Sequence, residues 1–328
     1  QGKTWALWVR SDEPLVDPTA TVTVIDAKPT EPSVQKTFAL HAFGTPGSNV
    51  WRGLRGIEIQ EPTGPHPLVI TAKDALGNEA RLERTFEVAQ TAFAEGGYIK
   101  LSKKQVAARK DEEAIAKMRA ERDAAYAHPQ PVQRWSGPFA KPIPGAELTS
   151  PFGKYRSYSD GRKSYHSGLD LSEPRGTPVR AAAPGVVLVA HEQAIFGNVV
   201  IVNHGLGVAT SYNHLDRIDV REGDQVEAGQ QLGALGSTGQ STGPHLHWGL
   251  EVDVVAVDPG EWLSTGFDVS PFAPAPLPTT APTTATTTTG QAALPADGAA
   301  EAPAPPVSPA ERAEAAPGAV DPAASAGQ

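Results

Sequence analysis

The 328-residue sequence has no cysteine. That excludes disulfides, thiolate zinc fingers and a cysteine nucleophile, and it suits an oxidising compartment. No excess of positive charge exists either: the formal net charge is -9 and no basic stripe stands out, so nucleic acid is not expected as a partner. No apolar run approaches the ~18 residues that a membrane-spanning helix needs. Aromatic residues are sparse at 6%, yet hydrophobic residues at 39% allow real cores. What is abundant is Gly, at 32, and Pro, at 31, a bias toward turn-rich β architecture and linkers. The length suits two domains with additional segments. The first residue is Gln1 rather than Met, which reads as a processed or trimmed form, with secretion as the expectation.

The chain divides into four parts. Residues 1–98 read as a β-sandwich domain. The segments TWALWV, ATVTVIDA, KTFALHAF, GIEIQ and PLVITAKD alternate apolar and polar residues, and Pro/Gly clusters separate them. ALGN (75–78) marks a hairpin, and ITAKDALGNEA resembles the late strands of bacterial immunoglobulin-like modules. Residues 99–131 read as a helical linker. SKKQ is a capping-box pattern with Ser102 as N-cap, and the stretch that follows is rich in Ala, Glu, Lys and Arg. Its few apolar residues predict a solvated connecting helix. Residues 132–267 carry short strands and dense glycine turns, an antiparallel β pattern. Residues 268–328 are dominated by Pro, Ala and Thr and are expected to be a disordered tail.

Six of the nine histidines fall between 166 and 247. HSGLD (166–170) carries His166 and Asp170, SYNHL (211–215) carries His214, and PHLHW (244–248) carries His245 and His247. In an extended strand, His245 and His247 share a face because side chains alternate with a period of 2. A catalytic zinc takes three nitrogen or oxygen ligands from protein and keeps one position open. His166, Asp170 and one histidine of the HLH pair meet that count. The other HLH histidine and His214 would remain for proton transfer.

These fragments, with SPFG (150–153), GTPVRAAAPGVV (176–187), GNVVIVNHGLGV (197–208), DQVEAGQQLGALGSTGQSTGPHLHWG (224–249) and VDP (257–259), resemble the M23, or LytM/lysostaphin-like, zinc metallopeptidases. WSGPF (135–139) resembles the lead-in of some bacterial members. The resemblance runs from about 135 to 264. It implies a compact antiparallel β domain of the duplicated-hybrid-motif type, a groove, one zinc ion, and cleavage of peptide bonds in peptidoglycan stems or cross-bridges. It assigns His166, Asp170 and His247 as ligands, with His245 and His214 as the non-ligand catalytic pair. All five positions are intact, unlike the degenerate members that activate amidases. Trp248-Gly249 stands where Phe-Glu is common, which implies an altered groove wall. AIFGN (194–198) departs from the usual GxGN and implies a different loop beside the groove.

The remaining notable residues have structural readings. Tyr212 is expected in the core, His204 in a turn, His191 at an exposed strand end, and Asp258-Pro259 in a closing turn. Two other functions fit less of the sequence. One is a non-catalytic cell-wall-binding or amidase-regulating module. The other is a carrier or phosphotransfer hairpin, suggested by GDQVEAGQQLG, but residues 223–236 lack the lysine that a carrier needs. The expected setting is extracytoplasmic and bacterial, and the expected state is a monomer whose amino-terminal domain contacts wall or protein. Since no candidate ligand lies in the tail, deleting residues 271–328 should leave hydrolysis of a soluble peptide unchanged. A loss of that activity would show that the tail packs on the catalytic domain.

Overall fold

The computed structural model describes residues 1–24, 33–44, 47–128 and 132–271. The Pro/Ala/Thr-rich segment from 272 onward, expected to be disordered, lies outside the described residues. The chain is mainly β, as its alternation and turn density require.

The amino-terminal part contains two antiparallel sheets. One orders Thr4–Arg10, Val50–Gly56 and His41–Phe43, and the other orders Val34–Ala39, Val16–Val24, Gly64–Lys73 and Glu79–Val88. In Val16–Val24 the period of 2 is explicit: Ala20, Val22 and Val24 are buried. Thr19 and Thr21 face the other way, and their hydroxyls pair with Thr71 at 3.0 Å and Thr37 at 2.8 Å on the neighbouring strands. Phe38, Trp51, Leu68, Ile70 and Phe86 join the buried side chains from both sheets in one core. The ALGN hairpin forms as expected. The Asp74 carboxylate accepts from the backbone N–H of Leu76 and Asn78, each at 2.8 Å.

The linker departs from expectation in two ways. It is two helices, α1 (Lys103–Lys110) and α2 (Glu112–Tyr126), not one. Ser102 and Gln105 make the reciprocal capping box. The break comes at Asp111, whose side chain accepts from the Ala114 N–H and so caps a second helix. Nor is the linker merely solvated. Met118, Arg122, Ala125 and Tyr126 of α2 are buried. Ala125 and Tyr126 pack with Val199, Ile201 and Ala209 of the next domain's sheet.

That sheet is the frame of the remaining domain. Its antiparallel order is Gln225–Val226, Gly185–Gln193, Gly197–Gly205, Val208–Leu215, Leu246–Val252, Gly168–Ser172 and Glu147–Ser150. One face buries Leu169, Leu171, Val200, Val202, Tyr212, Leu246, Trp248 and Leu250 in the main core. The Tyr212 hydroxyl accepts from the Ala182 N–H at 2.7 Å, so Tyr212 is a core residue, as predicted. Trp248 is fully buried in the same core. It therefore does not form the groove wall that its departure from the family pattern implied. His204 is also fully buried, bonded through Nδ1 to the Pro184 carbonyl and through Nε2 to the Thr210 hydroxyl. Asp258-Pro259 is not a plain turn: Asp258 caps a short helix, α3 (Pro259–Trp262), with Pro at its first position.

The two β portions meet through specific contacts. Leu54 of the amino-terminal part belongs to the main core. The Trp262 indole donates to the Thr4 hydroxyl at 2.8 Å, and the Thr4 N–H donates to the Glu261 carboxylate at 2.9 Å. Trp135 and Phe139 of WSGPF stack around Trp262, with centroids at 5.7 and 4.9 Å. Trp262→Ala should therefore destabilise the protein by about 3–5 kcal/mol through the cavity and lost ring contacts. Urea unfolding monitored by tryptophan fluorescence would show this as a lower midpoint, and an unchanged midpoint would refute the role of Trp262 as the junction.

Candidate active site

Each candidate residue reaches the site for a local reason. Strands Gly168–Ser172 and Leu246–Val252 pair so that Asp170 lies opposite His247. Directly opposed residues share a face, here the face away from the main core. The intervening Leu169, Leu171, Leu246 and Trp248 point into that core. Gly168 of HSGLD has to be glycine: a Cβ there would lie 2.4 Å from the Trp248 carbonyl oxygen. His166 precedes the strand and is tied to SPFG. Its backbone exchanges bonds with Gly153 and Lys154, and its Nδ1–H donates to the Pro151 carbonyl at 2.8 Å.

His214 arrives by a different route. Simple alternation would put it beside Tyr212, on the core face. The register instead pairs Val200 with Tyr212 and Asn198 with Leu215, so three steps on one strand oppose two on the other. This β-bulge places His214 at φ 64, in the left-handed region, and turns its ring to the site. The shared face that plain alternation would give Tyr212 and His214 is thus broken by one extra residue. The Phe196 carbonyl accepts from the His214 N–H and the Thr238 carbonyl accepts from its Nδ1–H, each at 2.8 Å.

Three acceptor atoms converge. His166 Nε2 lies 2.9 Å from Asp170 Oδ1 and 2.9 Å from His247 Nδ1, and the last two are 3.0 Å apart. The first imidazole has already given its N–H to Pro151, so its Nε2 is a bare lone pair. His245 stands beside this group, with Nε2 3.7 Å from Asp170 Oδ1 and its ring 4.9 Å from that of His214. Its Nδ1–H donates to the Gly243 carbonyl at 2.8 Å. The structure therefore brings together all five residues singled out in the sequence.

Two arginines escaped the sequence reading. Arg156 Nη2 donates to Asp170 Oδ2 and to the Ser150 hydroxyl, both at 2.6 Å. It fills the carboxylate's outer oxygen and leaves Oδ1 to the histidines. Arg122 of α2 bonds to Tyr126, Asn213 and Ser211 and lies over the Phe196 ring at 4.1 Å. Neither belongs to a motif, so spacing carried no signal for them. The departure at AIFGN also has a place: Ile195 and Phe196 line the site cavity. That cavity has a volume of about 630 Å³, and its opposite wall is formed by the linker, including Leu101, Gln105, Arg109 and Met118. His191 is not a free strand end. It bridges Glu121 of α2 at 3.0 Å and Glu222 at 2.8 Å.

The electrostatics follow from burial. Desolvation, aided by the neighbouring His245 and His247, lowers the His214 pKa to about 3. Burial lowers His247 to about 4, against the pull of Asp170. Although its own burial opposes ionisation, the neighbouring imidazoles of His166 and His247 hold Asp170 below the usual carboxylate range.

An antiparallel β domain carrying a His-Asp-His donor set and two further histidines has the form of a metallopeptidase site. The sequence pattern of Peptidase family M23 matches residues 164–259, a span that holds all five residues. Residues 164–259 thus carry a domain of peptidase family M23. The DD-carboxypeptidase/endopeptidase Mpg of Neisseria meningitidis is 39% identical over 129 residues, covering 39% of this chain and 30% of its own length. The peptidoglycan DD-endopeptidase ShyA of Vibrio cholerae is 43% identical over 91 residues, covering 28% of this chain and 21% of its own length. The chain thus spans less than a third of the length of these curated relatives. A crystal structure of a Pseudomonas aeruginosa protein assigned to peptidase M23 superposes with a TM-score of 0.55 at 28% identity, covering 79% of this chain and 92% of that one. That share exceeds residues 132–271, so the likeness extends into the amino-terminal part.

Buried His204, with a pKa lowered to about 4, joins His214 and His247 as a neutral group at neutral pH. Their folded values lie below the ordinary ~6.5 of an unfolded chain. The unfolded state then binds more protons in this interval, so stability is full above about pH 6.5 and is lost as pH falls below it. Histidine NMR of metal-stripped protein should show His204 neutral through pH 5, while His191, raised by its two glutamates against its own desolvation, stays charged above its ordinary value. A His204 midpoint near 6.5 would contradict this burial effect.

Proposed function

We propose that the protein is a zinc-dependent endopeptidase that hydrolyses peptide bonds in peptidoglycan stems or cross-bridges. The observation that carries this reading is the convergence of His166 Nε2, Asp170 Oδ1 and His247 Nδ1 within 3.0 Å of one another. Three buried acceptors aimed at one point, one of them an anion, are a donor set for a cation. Two imidazoles and a carboxylate suit zinc. The activities named for Mpg and ShyA make a D,D bond the favoured target. A peptidoglycan substrate places the protein outside the cytoplasm. No helix among the described residues is long and apolar enough to cross a membrane.

His166, Asp170 and His247 would hold the metal, which would supply Lewis acidity for water activation and carbonyl polarisation. The protein's own groups do the rest. The Pro151 carbonyl fixes the tautomer of His166, and Arg156 fixes the rotamer of Asp170. His245 and His214 each give Nδ1–H to a backbone carbonyl, which leaves Nε2 directed at the cavity. A neutral Nε2 accepts the proton of the attacking water and returns it to the leaving amine. The imidazolium so formed stabilises the oxyanion that develops at the scissile carbonyl until its proton passes to the leaving amine, with the second imidazole beside it. Burial keeps His214 neutral at rest, and each of the two imidazoles presents a free Nε2 to the cavity. The amino-terminal portion is read as a module for contact with wall or protein, and the chain as a monomer.

The test uses the full chain. Metal analysis should give about one zinc per chain, and muropeptide mass spectrometry after sacculus digestion should identify the bond cut. His247→Ala should lose the metal. His245→Ala and His214→Ala should keep it and lose about 10²-fold or more in turnover. Full zinc in His247→Ala would remove that residue from the donor set. Turnover within a few-fold of wild type in both of the other variants would sink the proposed pair.

A further inference from the structure

The cavity carries a feature that the five-residue site does not use. Arg109, Arg119, Lys154, Arg156 and Arg162 all line it. Arg156 is committed to Asp170. Arg162 is not fully committed. Its Nε donates to Asp160 Oδ2 at 2.8 Å, but among the described residues no acceptor reaches its Nη2, which is shielded from water. Its guanidinium lies 4.7 Å from the centroid of the Tyr158 ring, and that of Arg109 lies 5.9 Å from the same centroid. Two cations thus share one aromatic ring and one nearby carboxylate. Burial, and the neighbouring charge of Arg162, push the Arg109 guanidinium below its ordinary range. A buried donor without an acceptor is unfavourable, and for a charged donor more so.

We propose that Arg162, with Arg109 beside the same Tyr158 ring, forms a subsite for a free carboxylate of the peptide substrate. The planar fork of a guanidinium matches a carboxylate, and a ligand anion would give Nη2 the partner it lacks. The cavity joins this subsite to His166, Asp170, His245 and His247, so a bound peptide would span both. Arg109, Tyr158 and Arg162 all precede residue 164, outside the span matched by the family pattern. The subsite is therefore a property of this chain's linker and its 155–165 hairpin, and it sets which peptides are held rather than how they are cut. The inference rests on the endopeptidase reading for its substrate class.

The test pairs a D,D-linked peptide dimer bearing free carboxylates with the same dimer carrying carboxamides. Binding is measured by calorimetry on His245→Ala, and turnover on the otherwise native enzyme. The free acid should bind about 10-fold or more tightly than the amide. Arg162→Gln should raise KM for the free acid by a similar factor, change kcat by less than about 3-fold, and leave the amide unaffected. Arg162→Lys should restore part of the loss. Equal binding of acid and amide, binding of neither, or an equal KM increase on both in Arg162→Gln would overturn the subsite. Preferential binding of the acid without turnover would uphold the subsite and count against the endopeptidase reading instead.

Discussion

The pleat of one antiparallel sheet decides where everything else goes. Successive residues of its strands face opposite sides, so each strand must serve two environments at once. On one side, Leu169, Leu171, Leu246, Trp248 and Leu250 build the main core. On the other, Asp170 and His247 stand opposite one another across a strand pair. The positions of these two side chains are thus set by the burial of their neighbours. A one-residue slip of either strand would exchange core and site together, and the packed leucines resist it.

Among the five site residues, the exception to this parity is also the one with a left-handed backbone. His214 sits on a strand whose regular continuation would bury it with Tyr212. An extra residue against Asn198–Val200 and a left-handed backbone at His214 carry it to the other side. A non-glycine residue in that region is disfavoured and needs to be held by its surroundings. Two bonds to backbone carbonyls, from N–H to Phe196 and from Nδ1–H to Thr238, supply the hold. The same device recurs across the site. His166 is anchored by Pro151 and His245 by Gly243, so three imidazoles are oriented by main chain rather than by other titratable groups.

This division explains what could be read in advance. The HLH spacing was legible because strand alternation converts it directly into a shared face, and HxxxD because it supplies two metal-ligand side chains within a pattern that resembles the M23 peptidases. The capping box at Ser102 and the ALGN hairpin were legible because each is local chemistry. The break at Asp111 was not, because a capping aspartate looks like any other acidic residue in a helix-forming stretch. The bulge at His214 was not, since nothing in SYNHL marks an extra residue; it appears only against the partner strand. Trp248 read as a groove residue by its difference from relatives, whereas its strand parity with Leu246 already placed it in the core. Arg122, Arg156 and Arg162 act through distant partners, Asn213, Asp170 and the cavity, and distance along the chain hides such pairs.

The site-bearing face of the sheet is also the face on which the linker packs, and this ties the linker to the chemistry. On that face, Val199, Ile201 and Ala209 would expose apolar surface if Ala125 and Tyr126 of α2 did not cover them. Arg122 extends that cover toward the site by lying over Phe196, whose carbonyl holds His214. Gln105 of α1 donates to the Ser241 carbonyl, and the Ser241 hydroxyl lies 3.2 Å from His245 Nδ1. The linker is therefore connected to both His214 and His245 through a single intervening residue each. It also leads back, through Glu95–Ile99 paired with Tyr155–Tyr158, to the hairpin that carries Arg156 and hence to Asp170. A segment whose composition suggests a spacer thus supports Asp170, His214 and His245. The geometry of the site belongs to the linker and the β domain together, not to the matched residues 164–259 alone.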